Sequence, residues 1–372
     1  MELQSICSHL LKRRWWSSLV TPALIIGGLA LTSVNASATC AVPNLLTNGQ
    51  PTDASQVMAN FNALAACLTP VQTPPQGRLT LISNTPVMNA DATAQSTIYY
   101  TPYQGNQAPV AAIMYSFSQL SYSLSTSAHL SGNLYDIFAY NAAGSIALCT
   151  GPAWSSVSAR SAAVTMVNGL WTNQNILTCT VSGGGSTTSV PANNATYLGT
   201  FYATANGQTG MAFNPTPASG GTNNFLGLYN AYNRVRIKAQ SSDSSTGWTY
   251  NSATWRATDN SNSNRISFVD GLGTENIETF AAAYGYAGNN LGRLSVGVNR
   301  DSTSATPTNL GRLGTGGAGN NDGGQYVAQN FMPSIGFHYV QAMESAYSAN
   351  TVNFLGSSPT QQVQYLIISL GL

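Results

Sequence analysis

The chain has 372 residues, of which only 7% are Asp, Glu, Lys or Arg, and its formal net charge is +1. Ordinary globular proteins carry roughly 25% charged residues, so the polar surface must be built from Ser, Thr, Asn and the 35 glycines. No basic stripe is available to neutralise phosphates, which argues against nucleic acid as a partner, and 18 Tyr with 11 Phe argue against a disordered chain.

Lys12, Arg13 and Arg14 precede an apolar run from Leu19 to Val34, and Ala36 and Ala38 are the small residues that a signal peptidase requires. Residues 1–38 are therefore expected to be an export leader, and the remainder a secreted or cell-surface protein beginning at Thr39. Loss of Glu2, Lys12, Arg13 and Arg14 leaves 10 basic and 11 acidic residues. No later apolar stretch approaches the roughly 20 residues of a membrane-spanning helix, so no membrane span is expected in the mature chain.

Residues 39–76 read as a short N-terminal helix followed by a Pro-rich spacer. Thr52 or Asp53 can cap the first turn, and Val57, Phe61, Leu64 and Leu68 recur at steps of four, three and four, which makes the helix amphipathic. Docking on the protein's own β structure and self-association are both compatible with such a stripe. Pro70, Pro74, Pro75 and Gly77 then break the helix.

Strand-like pieces follow from Arg78. Residues 78–83, 96–101, 120–125, 134–140, 145–149, 162–167 and 197–202 have β-branched and aromatic enrichment, and Gly105-Asn106, Gly132-Asn133, Ala143-Gly144 and Asn168-Gly169 punctuate them as turns. Gly183 to Gly185 reads as a hairpin loop near Cys179. A second strand-rich stretch comprises residues 224–229, 234–238, 247–250, 254–257, 265–269, 277–286, 293–298, 335–340 and 364–370. Residues 310–325, rich in glycine and poor in apolar bulk, are expected to form an exposed loop. The fold class predicted is mainly β: two β-sandwich or jelly-roll-like domains, residues 77–214 and 215–372, after a short N-terminal amphipathic helix.

Cys40, Cys67, Cys149 and Cys179 remain once Cys7 leaves with the leader. An even number in an oxidising compartment suggests two disulfides, and the simplest of the three connectivities pairs Cys40 with Cys67 and Cys149 with Cys179. No CxxC is present, and His129 and His338 are isolated, so no metal and no cofactor are expected.

No nucleophile elbow is present, and the two histidines read as hydrogen-bonded structural residues, so no catalytic residue and no enzymatic activity are expected. Glu275 and Glu278, with Asp270 nearby, read as charges beside the 271–273 turn; a glycosidase needs only two carboxylates, so a secreted glycan-active hydrolase stands as a lesser alternative after a glycan-binding module. Arg234, Arg236 and Lys238 alternate along one strand and share a face. Tyr99, Tyr100 and Tyr103, and likewise Trp248, Tyr250 and Trp255, are the candidate ligand-binding residues: planar rings with Asn and Ser beside them suit a sugar, although core packing would use the same residue types. Asp322 alone gives only a faint indication of a calcium loop.

The segments LLTNGQPTDASQVMANFNAL (45–64), GRLTL (77–81), TIYYTPY (97–103), YDIFAY (135–140), YLGTF (197–201), LYNAYNRV (228–235) and GFHYVQAME (336–344) together touch most of the mature chain. In this order they resemble uncharacterised bacteriophage and prophage tail-fibre-like proteins. That resemblance implies an elongated, non-enzymatic, β-rich structural or attachment protein, often a homo-oligomer; the neutral, Tyr- and Asn-rich loops separately suggest a cell-surface glycan as candidate partner. The leader departs from it, because a virion component assembles in the cytoplasm, and favours a bacterial surface protein built from the same modules.

Overall fold

The computed structural model describes residues 43–45, 48–49, 53–67, 73–287, 293–314, 321–346, 351–357 and 364–372. The expected leader, Cys40, Thr52 and Leu68 lie outside the described residues, as does the side chain of Cys67, and with them the expected Cys40–Cys67 bridge. The chain divides into two compact units, residues 1–68 and 69–372. Among the described residues, no helix is long and apolar enough to cross a membrane.

In the first unit, α1 spans Ala54–Cys67. Asp53 caps it: its Oδ1 accepts from the Ser55 amide at 2.9 Å, and its carbonyl accepts from the Gln56 amide at 3.0 Å. The first of these bonds holds the Asp53 carboxyl below its ordinary range. Asn60 clasps the segment before the helix, donating to the carbonyl of Asn44 at 2.7 Å and accepting from its amide at 2.8 Å. Of the expected stripe, Val57 is half-buried while Phe61 and Leu64 are 62% and 42% exposed, next to Met58 at 56%.

The second unit is mainly β. It begins with β1 (Gly77–Thr80), β2 (Ala92–Gln95), β3 (Thr97–Pro102), β4 (Gln107–Val110), β5 (Ile113–Ser116) and β6 (Leu120–Ser123). β1, β3 and β6 make a three-stranded sheet, and β4 and β5 a hairpin. Next come β7 (Leu134–Ala142), β8 (Ser145–Thr150), β9 (Val164–Val167), β10 (Leu170–Asn173), β11 (Leu177–Val181), β12 (Thr187–Val190), β13 (Thr196–Tyr202) and β14 (Thr209–Ala212). Seven of these lie in the order β12-β11-β8-β7-β13-β10-β9. Two-residue turns join β7 to β8 and β9 to β10 at Ala143-Gly144 and Asn168-Gly169, all four residues having positive φ as the twist of a tight hairpin requires. Gly183 and Gly184, also at positive φ, lie in the longer loop, residues 182–186, that joins β11 to β12.

The remaining strands are β15 (Asn224–Leu226), β16 (Leu228–Asn230), β17 (Arg236–Ser242), β18 (Trp248–Tyr250), β19 (Arg256–Ala257), β20 (Arg265–Asp270), β21 (Ile277–Ala287), β22 (Arg293–Arg300), β23 (Leu310–Gly314), β24 (Asn321–Phe331), β25 (Gly336–Ser345), β26 (Val352–Leu355) and β27 (Tyr365–Gly371). One sheet runs β2-β14-β15-β20-β25-β22-β23, with β19 on β25; another runs β17-β27-β21-β26-β18, with β24 on β21. Sheets are therefore shared between residues 77–214 and 215–372: β14 pairs with β15, β13 with β16, and β2 extends the sheet of β20 and β25.

The expected exposed loop at 310–325 is corrected where it is described. Leu310–Gly314 pairs with β22, and Asn321–Gly324 pairs with β21. Glycine here serves close approach of backbones rather than a turn, since a Cβ at Gly311 would stand 2.4 Å from the carbonyl oxygen of Tyr326. A glycine-rich strand of this kind carries few of the apolar side chains by which a strand is recognised in sequence.

Cys149 on β8 and Cys179 on β11 form the expected disulfide, with Cα atoms 5.6 Å apart. The core beside it is aromatic, with Phe138 and Tyr197 fully buried. Next to that core lies a buried ion pair. Arg160 donates from Nε to Asp136 Oδ2 at 2.7 Å, from an Nη to the Tyr197 hydroxyl at 3.1 Å, and to the carbonyl of Gly271. Thr200 donates to Asp136 Oδ1 at 2.6 Å. Only glycine fits at 271, because a Cβ would lie 2.4 Å from the Tyr197 hydroxyl. The knot ties β7 and β13 to the turn after β20. Removing the cation leaves Asp136 buried without its counter-charge, so Arg160→Ala should lower unfolding stability by roughly 3–5 kcal/mol, read as a fall in the chemical-denaturation midpoint.

Candidate functional site

The structure does not assemble Tyr99, Tyr100 and Tyr103 into one site. Tyr100 is core: it is 2% exposed, lies 4.8 Å from the Phe117 ring, and accepts a hydrogen bond from the Gly77 amide at 3.0 Å. Burial pushes its phenol far up. Tyr99 points to the other side of β3 and is half-buried, whereas Tyr103 is 39% exposed under the Arg78 guanidinium.

Trp248 and Tyr250 do come together, on one face of β18, while Trp255 is buried. Trp248 is near-parallel to Phe354 at 5.8 Å and donates from Nε1 to Glu344 Oε2 at 2.8 Å. Arg256 donates to Glu344 Oε1 from Nε at 2.8 Å and lies 3.8 Å from the centre of the Tyr250 ring. Asp243 and Asp259 sit alongside. Asp243 accepts from the amides of Gly220 at 3.0 Å and Ser245 at 2.9 Å, and burial together with Asp243 raises the Asp259 carboxyl. Burial pushes Glu344 up to about 7 against the pull of Arg256. These aromatics are thus committed to holding a buried carboxyl.

The folded protein favours protonated Glu344 between its ordinary value of 4.5 and about 7, so the stability that this group contributes is lost as pH rises through that window. His129 acts in the opposite sense: burial lowers it to about 4, so its contribution is lost as pH falls from its ordinary 6.5. Glu344→Gln isolates the first effect. Its melting temperature relative to the parent should rise between pH 5 and pH 7.5, by several degrees if about 2 kcal/mol is at stake, and calorimetry across pH will measure it.

Of the three basic candidates, Arg234 and Arg236 are ion-paired and Lys238 is not, among the described residues. Arg234 meets Glu275 at 2.5 Å, and Arg236 meets Glu278. Asp270 is buried and accepts from the amides of Leu272 at 3.2 Å and Gly273 at 2.7 Å. His129 is buried, accepting at Nδ1 from the Ser125 amide at 2.9 Å, and His338 lies 2.7 Å from Asp301. Among the described residues, no three His, Cys, Asp or Glu side chains are grouped to hold a metal ion.

The open chemistry lies on the outer face of the sheet built on β21. Along this strand Thr279, Ala281, Ala283 and Gly285 are buried, and Phe280, Ala282, Tyr284 and Tyr286 face outward, half-buried. Register sets Ala282 between Tyr326 of β24 and Tyr365 of β27. Because Ala282 is small, the larger rings gather around it. Tyr326 is near-parallel to Phe280 at 5.6 Å and 19°, and Phe280 to Tyr365 at 5.9 Å and 21°. Tyr326 is 69% exposed. Farther along, Tyr286, Asn353 and Thr249 stand in one row across β21, β26 and β18, beside an open groove of about 240 Å³ that Trp248 also lines.

This face combines a row of aromatic rings with amides and hydroxyls. The π faces carry negative partial charge that attracts the C–H face of a pyranose, and the amides and hydroxyls can bond its hydroxyl groups. The sequence hides it because Tyr326 lies just beyond the glycine-rich stretch 310–325 that predicts a loop. The available signal was the period-two spacing of Phe280, Tyr284 and Tyr286 within a strand that was correctly placed.

No family model matches the chain, and no curated protein matches it. Among solved structures, similarity is found to the Eiger TNF of S. frugiperda, with 9% identity over 36% of this chain and 91% of that one at a TM-score of 0.26. Dimeric latent PorU from Porphyromonas gingivalis gives 9% identity over 64% of this chain and 21% of that one, at a TM-score of 0.25. The insecticidal delta-endotoxin Cry8Ea1 from Bacillus thuringiensis gives 7% identity over 80% of this chain and 51% of that one, at a TM-score of 0.20. At these scores the likenesses carry no argument about function.

Proposed function

We propose that the protein is a secreted or surface-exposed attachment protein without catalytic activity, which holds a cell-surface glycan on the outer face of the β21 sheet and associates with copies of itself through α1. The observation that carries this reading is the row of Tyr326, Phe280 and Tyr365, with Tyr326 69% exposed. An aromatic that is not needed in the core and stands open to water suits a ligand with an apolar face of its own. Supporting it are the export leader, the low charge and the resemblance to tail-fibre-like proteins. A glycan presents few charges, and a neutral surface avoids the desolvation of ions that binding would otherwise require.

Tyr326→Ser should weaken binding to neutral oligosaccharides on an array by about tenfold while leaving the melting temperature unchanged, because the ring is exposed. Binding equal to the parent would remove the glycan from this face.

The helix supplies the second element. Phe61 and Leu64 are exposed on α1, and burying such a side chain between copies gains roughly 1.5–3 kcal/mol each. Phe61→Asp with Leu64→Asp should convert an oligomer to a monomer by light scattering without altering the β signal in circular dichroism. A parent that is already monomeric at micromolar concentration would instead leave a single-copy glycan-binding module.

A further inference from the structure

A second site lies along β17, away from the aromatic row. The amide of Val235 donates to the carbonyl of Leu372, and the amide of Leu372 returns the bond, both at 3.1 Å. Antiparallel pairing alternates, so the odd-numbered residues of β17 turn their main-chain groups toward β27 and the even-numbered ones turn them away. Gln240 confirms the direction, its amide donating at 2.8 Å to the carbonyl of Phe213, outside the sheet.

This outer edge is only partly covered. The chain from Phe213 to Ala218 runs beside it, bonding Gln240 and then bridging in parallel to Asp243. Its course leaves the edge beyond Gln240, at Arg236 and Lys238, without a strand alongside among the described residues. There the structure has an open groove of about 560 Å³, lined by Val87, Met88, Asp91, Phe213, Ile237 and Lys238 among others, in which Asp91 Oδ1 is already engaged by the Phe213 amide at 2.7 Å. The N–H and C=O of Arg236 and Lys238 are aimed toward this space, which has the place and composition of a missing strand.

Charge decides what can fill it. The Arg236 guanidinium is taken by Glu278, and among the described residues Lys238 has no ion-pair partner and is exposed. A second copy of the chain is disfavoured, since antiparallel self-pairing centred on Ile237 sets Arg236 opposite Lys238, and like charges directly opposite are destabilising.

We propose that this slot is a strand-addition site for an extended peptide of alternating apolar and acidic residues from a partner protein. The peptide's main chain pairs with Arg236 and Lys238, its apolar side chains rest against Val87, Met88 and Ile237, and a carboxylate answers Lys238. The site is independent of the glycan face, so either proposal can fail without the other.

The test uses the full chain and a fluorescent hexapeptide of alternating Val and Glu, capped at both ends, with binding read by anisotropy. An added strand uses every second N–H toward its neighbour. Of two analogues N-methylated at alternate positions, one should therefore lose binding and the other keep it. Lys238→Glu, an exposed position whose change leaves the fold intact by circular dichroism, should bind the Val/Glu peptide about tenfold more weakly and a Val/Lys peptide more tightly than the parent does. Absence of parent binding, equal binding of both analogues, or indifference to Lys238→Glu would overturn the proposal. So would a dimer of the parent that forms through this edge and excludes the peptide.

Discussion

Arg160 reaches from the loop after β8 to Asp136 on β7, Tyr197 on β13 and the carbonyl beyond β20, and these contacts must be made together. A guanidinium has five donors in a rigid fork, so its position is fixed by several partners at once. Where it is seated, Asp136 is neutralised and the Gly271 turn is drawn against β13 with no room for a side chain. The turn in turn sets where β20 ends and β21 begins, and β21 carries the aromatic face. One buried charge pair in a chain with so few charges therefore joins two strands of one sheet to the turn that precedes β21.

Elsewhere neutral amides do the work that charges perform in other proteins. Asn230 accepts from the Leu79 amide at 2.7 Å and donates to the Leu79 carbonyl at 3.3 Å, so its side chain imitates a neighbouring strand. Asn173 likewise accepts from the Ala195 amide at 2.8 Å and donates to the Pro191 carbonyl at 2.8 Å. Such groups satisfy buried backbone without the desolvation penalty of an ion. An Asn-rich, charge-poor composition is then compatible with a well-packed interior, and the outer faces inherit the same neutrality.

Much of this was legible in the residues. Strands such as 134–142, 265–270 and 365–371 were found because β-branched and aromatic residues are concentrated in them, although only the last alternates between buried and half-buried positions. The turns at Ala143-Gly144 and Asn168-Gly169 were found because few residues tolerate positive φ. The glycine-rich strand segments 310–314 and 321–324 gave little apolar signal. The aromatic candidates divided for a related reason: Trp255 and Tyr100 are core, and nothing local distinguishes them from the exposed Tyr326. That difference is made by strand neighbours far away in sequence, as is the free edge at Arg236 and Lys238, which depends on where the chain near Phe213 turns off.

The Cys149–Cys179 bond spans a sequence separation of 30 and joins neighbouring strands of one sheet. Everything between the two cysteines, including the β9–β10 hairpin and Arg160, is therefore part of a closed covalent ring. A protease that cuts once within that ring opens it but releases no fragment, because both new ends remain anchored through the sulfurs. The loop that carries the central guanidinium is thus the part of this protein that a single nick cannot detach.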